Sequence, residues 1–194
     1  RDRLRSRGLG DVYKRQGYKM ETKIIKIDQD NLDHKLMQEA GDLIAAGELV
    51  AFPTETVYGL GGDALDPEAS KKIYSAKGRP SDNPLIVHIS DFSDLERIAK
   101  TVPEDARKLS DAFWPGPLTL IFKKTDRVPM ATTGGLPTVA VRMPSNKIAA
   151  ALIRAAGGYI AAPSANRSGR PSPTVAKYAV SYTHLRAHET GAYL

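Results

Sequence analysis

The stretch Lys77-Gly78-Arg79-Pro80-Ser81-Asp82-Asn83-Pro84-Leu85-Ile86-Val87-His88 decides how the rest of the chain is read. A glycine and two prolines stop any helix arriving from Tyr74. The apolar and β-branched run from Leu85 to Ile89, with His88 set inside it, predicts a short buried strand. Two cations, an amide and an imidazole therefore sit on a helix-to-strand turn. Arg79 offers a planar fork for carboxylate or phosphate, and Lys77 a compact charge beside it. An isolated Lys-x-Arg also suits a solvated basic turn, so the neighbouring segments must decide.

Upstream, Thr22 to Ile27 predicts a first strand. Asn31 or Asp33 caps a helix whose apolar positions are Leu36, Met37, Ala40, Leu43 and Ile44, ended by Gly47. Leu49 to Phe52 predicts a buried strand stopped by Pro53, and Pro67 opens a helix that delivers Lys77. Downstream come a helix near Ser93–Lys100 and another opening at Pro103. Trp114-Pro115-Gly116-Pro117 is a hard stop. Strands are expected at Leu118–Phe122 and Thr138–Met143, a helix at Asn146–Ala156 and a last strand at Tyr159–Ala162. Thr174 starts one more helix. Strands alternating with helices give an α/β domain.

At 194 residues, 41% hydrophobic and 26% charged, the chain suffices for one domain with a real core. The net charge of +6 is unevenly placed. Residues 1–19 hold seven Lys/Arg and two Asp, hence +5, and in residues 181–194 Arg186 and Glu189 cancel, leaving about +1 for residues 20–180. A folded body so close to neutral gives little support for nucleic-acid binding. Residues 1–19 lack periodicity and read as a disordered basic tail. That tail and residues 181–194 resemble translated adapter sequence and are expected to be foreign, which makes residues 20–180 the domain. No cysteine is present, and no apolar run approaches the roughly 18–20 residues of a membrane span. A cytoplasmic protein, with no membrane partner, is expected.

Four polar segments fall at strand ends, where open α/β sheets place ligands. They are Pro53–Gly62, Lys77–His88, Thr138–Arg142 and Ala162–Ser172. Arg142 projects from an otherwise apolar strand, which is costly unless the charge is paired. It either faces solvent or meets a ligand carboxylate. The hydroxyls and open amides of Ala162–Ser172 form a candidate anion cradle or an ordinary loop. Neither phosphate-loop spacing nor a dinucleotide fingerprint occurs, and no nucleophile elbow or metal-ligand cluster stands out. The residues support a cationic, hydroxyl-lined site for an anionic small molecule.

Together these segments closely resemble the YrdC-like family, the L-threonylcarbamoyl-AMP synthases, from about Ile44 to Lys177. The resemblance rests on residues 53–60, 77–88, Trp-Pro-Gly-Pro-Leu-Thr at 114–119, Val-Ala-Val-Arg-Met-Pro at 139–144 and Pro-Ser-Ala-Asn at 163–166. It implies a single-domain, twisted, open mixed sheet flanked by helices, with a central ligand cleft. It also implies condensation of L-threonine, bicarbonate and ATP into threonylcarbamoyl-adenylate and pyrophosphate. A downstream transfer complex would then deliver the group to adenosine 37 of tRNA. By motif position, Lys77, Arg79, Ser164 and Asn166 match the catalytic tetrad. Arg79, Asn83, Thr138, Ser164 and Ser172 match ATP contacts; Thr56, His88, Arg142 and Ala162 match threonine contacts. Magnesium is expected with ATP, held by phosphate oxygens and water.

The resemblance stops short of the Glu-Ser-Thr-Val-Val-Asp-like and Leu-Arg-Pro-Gly-like segments that close the family's domain. The domain is therefore expected to be incomplete, with an exposed sheet edge. Two other readings compete. One is a module binding tRNA or double-stranded RNA. The other is the YrdC-like module of a carbamoyltransferase, which would take carbamoyl phosphate in place of bicarbonate.

Overall fold

The computed structural model describes residues 23–176, residue 179 and residues 191–193. The expectations for residues 1–19, and those for residues 181–190 and 194, lie outside the described residues, as does much of the helix expected from Thr174.

Helix starts follow the capping chemistry. α1 (His34–Ala45) begins at Asp33, whose carboxylate accepts from the Lys35 and Leu36 amides, which decides between the two candidate caps. α2 (Pro67–Lys77) has Asp66 as N-cap, Pro67 in its first turn and Gly78 closing it in the left-handed region at φ 58°. α5 (Lys147–Ala155) is capped by Asn146, which accepts from the Ile148 and Ala149 amides. Two further helices, α3 (Phe92–Ile98) and α4 (Glu104–Phe113), lie between α2 and α5. The Trp114–Pro115 peptide bond is cis.

The strands are β1 (Lys23–Ile24), β2 (Leu49–Phe52), β3 (Gly59–Asp63), β4 (Ile86–His88), β5 (Thr119–Lys123), β6 (Thr138–Arg142), β7 (Ile160–Ala161) and β8 (Gly191–Tyr193). They form one mixed sheet in the order β1-β8-β2-β3-β7-β4-β6-β5. β4 and β6 run parallel with His88 opposite Arg142, and β4 is antiparallel to β7 with His88 opposite Ile160. β8 joins β1 and β2 in parallel, so the slot beside β2 is filled by residues from the segment expected to be foreign.

Both faces of β2 are covered, which explains its unbroken apolar run. Val50 and Phe52 join Met37, Ala40 and Ile44 of α1 and Ile148, Leu152 and Ile153 of α5 in one core. Leu49 and Ala51 face the other way, into a core with Ile73, Leu85, Val87, Leu95, Ile98, Trp114, Val139 and Val141. α1 and α5 touch closely at Gly41, where an added Cβ would lie 2.5 Å from the Ala155 carbonyl carbon.

Two expectations need correction. The first strand is two residues long, not the whole of 22–27. More importantly, Gly59–Asp63 lies in the middle of the sheet as β3, where the sequence shows only a glycine-bearing polar segment. Its glycines are a matter of space: a Cβ at Gly61 would stand 2.7 Å from both Ile160 Cγ2 and Phe52 Cε1. Large side chains on neighbouring strands occupy that volume, so the strand carries none of its own there.

Candidate functional site

A cleft of about 450 Å3 opens where four strand-end segments converge. Its walls are Thr54, Thr56 and Val57 from the β2–β3 turn, Arg79, Asn83 and Pro84 from the turn after α2, Ile86 and His88 of β4, Arg142 of β6, and Ala162 to Ser164 after β7. The sheet order brings them together, because β3, β7, β4 and β6 are consecutive neighbours.

One wall is a cationic turn tied to a polar loop. Arg79 Nη2 donates to Asn83 Oδ1 at 2.5 Å and to the Pro84 carbonyl at 3.1 Å, and Nε donates to the Asn83 carbonyl at 3.2 Å. Those bonds fix the guanidinium on its own turn and aim it along the cleft. Lys77 lies behind the wall, 4% exposed, and its ammonium donates to the backbone carbonyls of Ser164 and Asn166. Burial, with a smaller push from the nearby Arg79 charge, lowers its pKa to about 8. On the loop, Ser164 Oγ donates to Asn166 Oδ1, and Asn166 Nδ2 donates to the Arg170 carbonyl at 2.7 Å. Ser172 Oγ stands 3.5 Å from Asn166 Oδ1.

The opposite wall holds Arg142. Its side chain is only 12% exposed, so it does not face solvent. Nη2 pairs with Glu55 Oε1 at 2.6 Å and donates to Thr56 Oγ1 at 3.2 Å. Nε is buried without a partner. Burial of Glu55 opposes ionisation, but the Arg142 hydrogen bond and charge, helped by backbone amides, outweigh it and hold its pKa below the usual carboxylate value. His88 lies beside this pair with its Nδ1 3.2 Å from the Ile86 carbonyl, a contact that needs Nδ1 to carry the proton. Burial first, and the Arg142 charge second, press its pKa down to about 4. The imidazole is neutral at pH 7. Phe52 meets it edge-on with ring centroids 6.2 Å apart.

Of the residues singled out from sequence, Thr56, Arg79, Asn83, His88, Arg142, Ala162 and Ser164 line the cleft. Lys77 and Asn166 stand behind them as supports, and Ser172 reaches the same network through Asn166. Thr138 sits at the start of β6, at the opposite end of the strand from Arg142 and paired with Lys123. Glu55 was missed. It lies 87 positions from Arg142, and only its place between two threonines of a strand-end turn could have suggested it. Among the described residues no cluster of three or more His, Cys, Asp or Glu is placed to hold a metal ion. The donor set of the cleft is instead two guanidiniums, an amide and hydroxyls.

These features define an α/β protein with a strand-end cleft lined by two guanidiniums, an amide, an imidazole and hydroxyls. A profile of the Sua5–YciO–YrdC family, described as telomere recombination, matches residues 42–187, and the chain belongs to that family. It is 56% identical over 157 residues to the threonylcarbamoyl-AMP synthase of Pyrococcus abyssi, covering 81% of this chain and 46% of that one. The Bacillus subtilis threonylcarbamoyl-AMP synthase is 55% identical over 152 residues, covering 78% and 44%. The crystal structure of P. abyssi Sua5 complexed with L-threonine superposes with a TM-score of 0.83 at 50% identity, covering 89% of this chain and 50% of that one. The chain spans about half the length of these relatives.

Proposed function

We propose that this chain carries the synthase domain of an L-threonylcarbamoyl-AMP synthase. The reaction joins L-threonine, bicarbonate and ATP, releases pyrophosphate and water, and serves threonylcarbamoylation of adenosine 37 in tRNA through a downstream transfer complex. The observation that carries the proposal is one cleft with two separate guanidiniums, Arg142 on β6 and Arg79 on the α2–β4 turn. A substrate pair in which one member presents a carboxylate and the other a triphosphate suits such a site.

Arg142 and Thr56 hold the threonine carboxylate and hydroxyl side, with neutral His88 and Ala162 closing that end. Because His88 is uncharged, it orients by hydrogen bonding and adds no second cation to compete for the carboxylate. Arg79, Asn83 and Ser164 meet the phosphates, with Ser172 and Thr138 further along the nucleotide. Arg79 offsets charge that builds on the phosphate oxygens as pyrophosphate leaves. Lys77 acts one step removed, holding the carbonyls of Ser164 and Asn166 so that their side chains stay aimed. Magnesium bound to ATP would supply charge neutralisation on the phosphates. The donor set fits an ion carried in by the nucleotide rather than one caged by the protein.

The test is threonine- and bicarbonate-dependent release of pyrophosphate from ATP. It is run on this chain and on a version extended with the remaining sequence of the B. subtilis relative. Arg79→Ala is expected to abolish turnover nearly completely while leaving the fold intact. Near-normal turnover in that variant, or release that ignores threonine, refutes the proposal. Turnover with carbamoyl phosphate but not bicarbonate would move the chain to the carbamoyltransferase reading.

A further inference from the structure

The Arg142 subsite already contains a carboxylate of the protein's own. Glu55 Oε1 engages Arg142 through Nη2 alone, at 2.6 Å, and the buried Nε has no partner. A guanidinium presents Nε and Nη2 as a side-on fork that a carboxylate can grip with both oxygens. Glu55 therefore holds one prong of a two-pronged site. A ligand carboxylate taking both prongs would replace that bond and satisfy the orphaned donor.

The turn carrying Glu55 is held in a way that allows the exchange. Its internal bonds come from Thr54 Oγ1, which accepts from the Thr56 and Val57 amides at 3.2 and 3.3 Å and donates to the Val57 carbonyl at 2.7 Å. The chain is fastened again at Tyr58, which bonds to Pro173 and Ala165. Glu55 lies in a bend outside the strands, and its carboxylate, on a side chain 19% exposed, also accepts from its own amide and that of Ser145. Rotating it out breaks no strand pairing.

We infer that Glu55 is a specificity-determining residue of this cleft, an internal competitor that yields Arg142 to a carboxylate and withholds it from phosphates. A cleft that must seat an amino-acid carboxylate beside a triphosphate has to keep the triphosphate from occupying both guanidiniums. A fixed negative charge at the Arg142 end repels the polyanion, and a small carboxylate able to use both prongs displaces it. The inference rests on the proposed function for the identity of that carboxylate as threonine.

The test is binding calorimetry on the full 194-residue chain and its Glu55→Gln variant, which keeps size and hydrogen-bonding oxygen but removes the charge. The probes are L-threonine, L-threoninamide, acetate and pyrophosphate. Glu55→Gln is expected to bind L-threonine about tenfold tighter, L-threoninamide unchanged, and pyrophosphate with a second site. Threonine binding that is unchanged or weaker in Glu55→Gln overturns the inference while leaving the proposed function standing. If threonine binds neither protein but acetate binds the variant more tightly, the proposed function falls and the competitor role stands. If neither carboxylate gains, the competitor role falls. Glu55→Ala repeats the comparison should the glutamine variant fold poorly by circular dichroism. Loss of fold in both also overturns the inference, because the pair would then be structural.

Discussion

Lowering the pH tests the neutral imidazole at the centre of the cleft. His88 is 3% exposed, and burial holds its pKa near 4 against an ordinary value of 6.5. The unfolded chain binds a proton to this group between those values and the folded chain does not. Its contribution to stability is therefore complete above pH 6.5 and is lost as the pH falls toward 4. The full difference of about 2.5 pKa units corresponds to about 3 kcal/mol, of which about 2 kcal/mol disappears between pH 7.5 and pH 5. The assay is urea unfolding at several pH values for the native chain and for His88→Leu. The substitution changes stability at every pH, but only the pH slope matters, since contributions from all other groups cancel. The native chain should lose about 2 kcal/mol more than the variant over that interval. Parallel stability curves would mean that His88 is solvated or charged in the folded state, and the account of a dry, uncharged ring beside Arg142 would fail.

Two further perturbations probe the frame around the site. Gly41→Ala places a methyl group 2.5–2.7 Å from the backbone and Cβ of Ala155, so α1 and α5 must separate. A loss of about 1–3 kcal/mol in urea unfolding is expected, and a neutral result would show that the helices are not in contact there. Lys77→Met keeps the aliphatic stem but removes the donor shared by the Ser164 and Asn166 carbonyls. It should lower the melting temperature and weaken ATP binding at least tenfold, with about 1–3 kcal/mol lost for the unmet acceptors. An unchanged melt with normal ATP affinity would show that the ammonium does not hold that loop.

Local rules made much of this fold readable. The Asp66–Pro67 start and Gly78 stop of α2 are short-range signals that need no knowledge of the rest of the chain. The apolar run feeding β4 and the alternation along β6 are equally local. β3 was invisible because its glycines answer to Phe52 and Ile160, whose positions follow only from the assembled sheet. In the site, Arg142 posed the right question, a charge on an apolar strand, but Glu55 sits across the cleft with no periodicity linking the two. Lys77 looked from sequence like a cation offered to a ligand. That it instead turns inward toward two main-chain carbonyls depends on a loop 87 and 89 positions away.

That inward lysine has a consequence for when the site comes into being. A single ammonium joins segments separated by 87 positions, so neither wall of the cleft has its final shape until both ends of the chain between them have met. Contacts so distant in sequence form late, after helices such as α1 and α5 are already in place. Regain of ligand binding on refolding should trail regain of helical signal, because binding reports that the two walls joined by Lys77 have met.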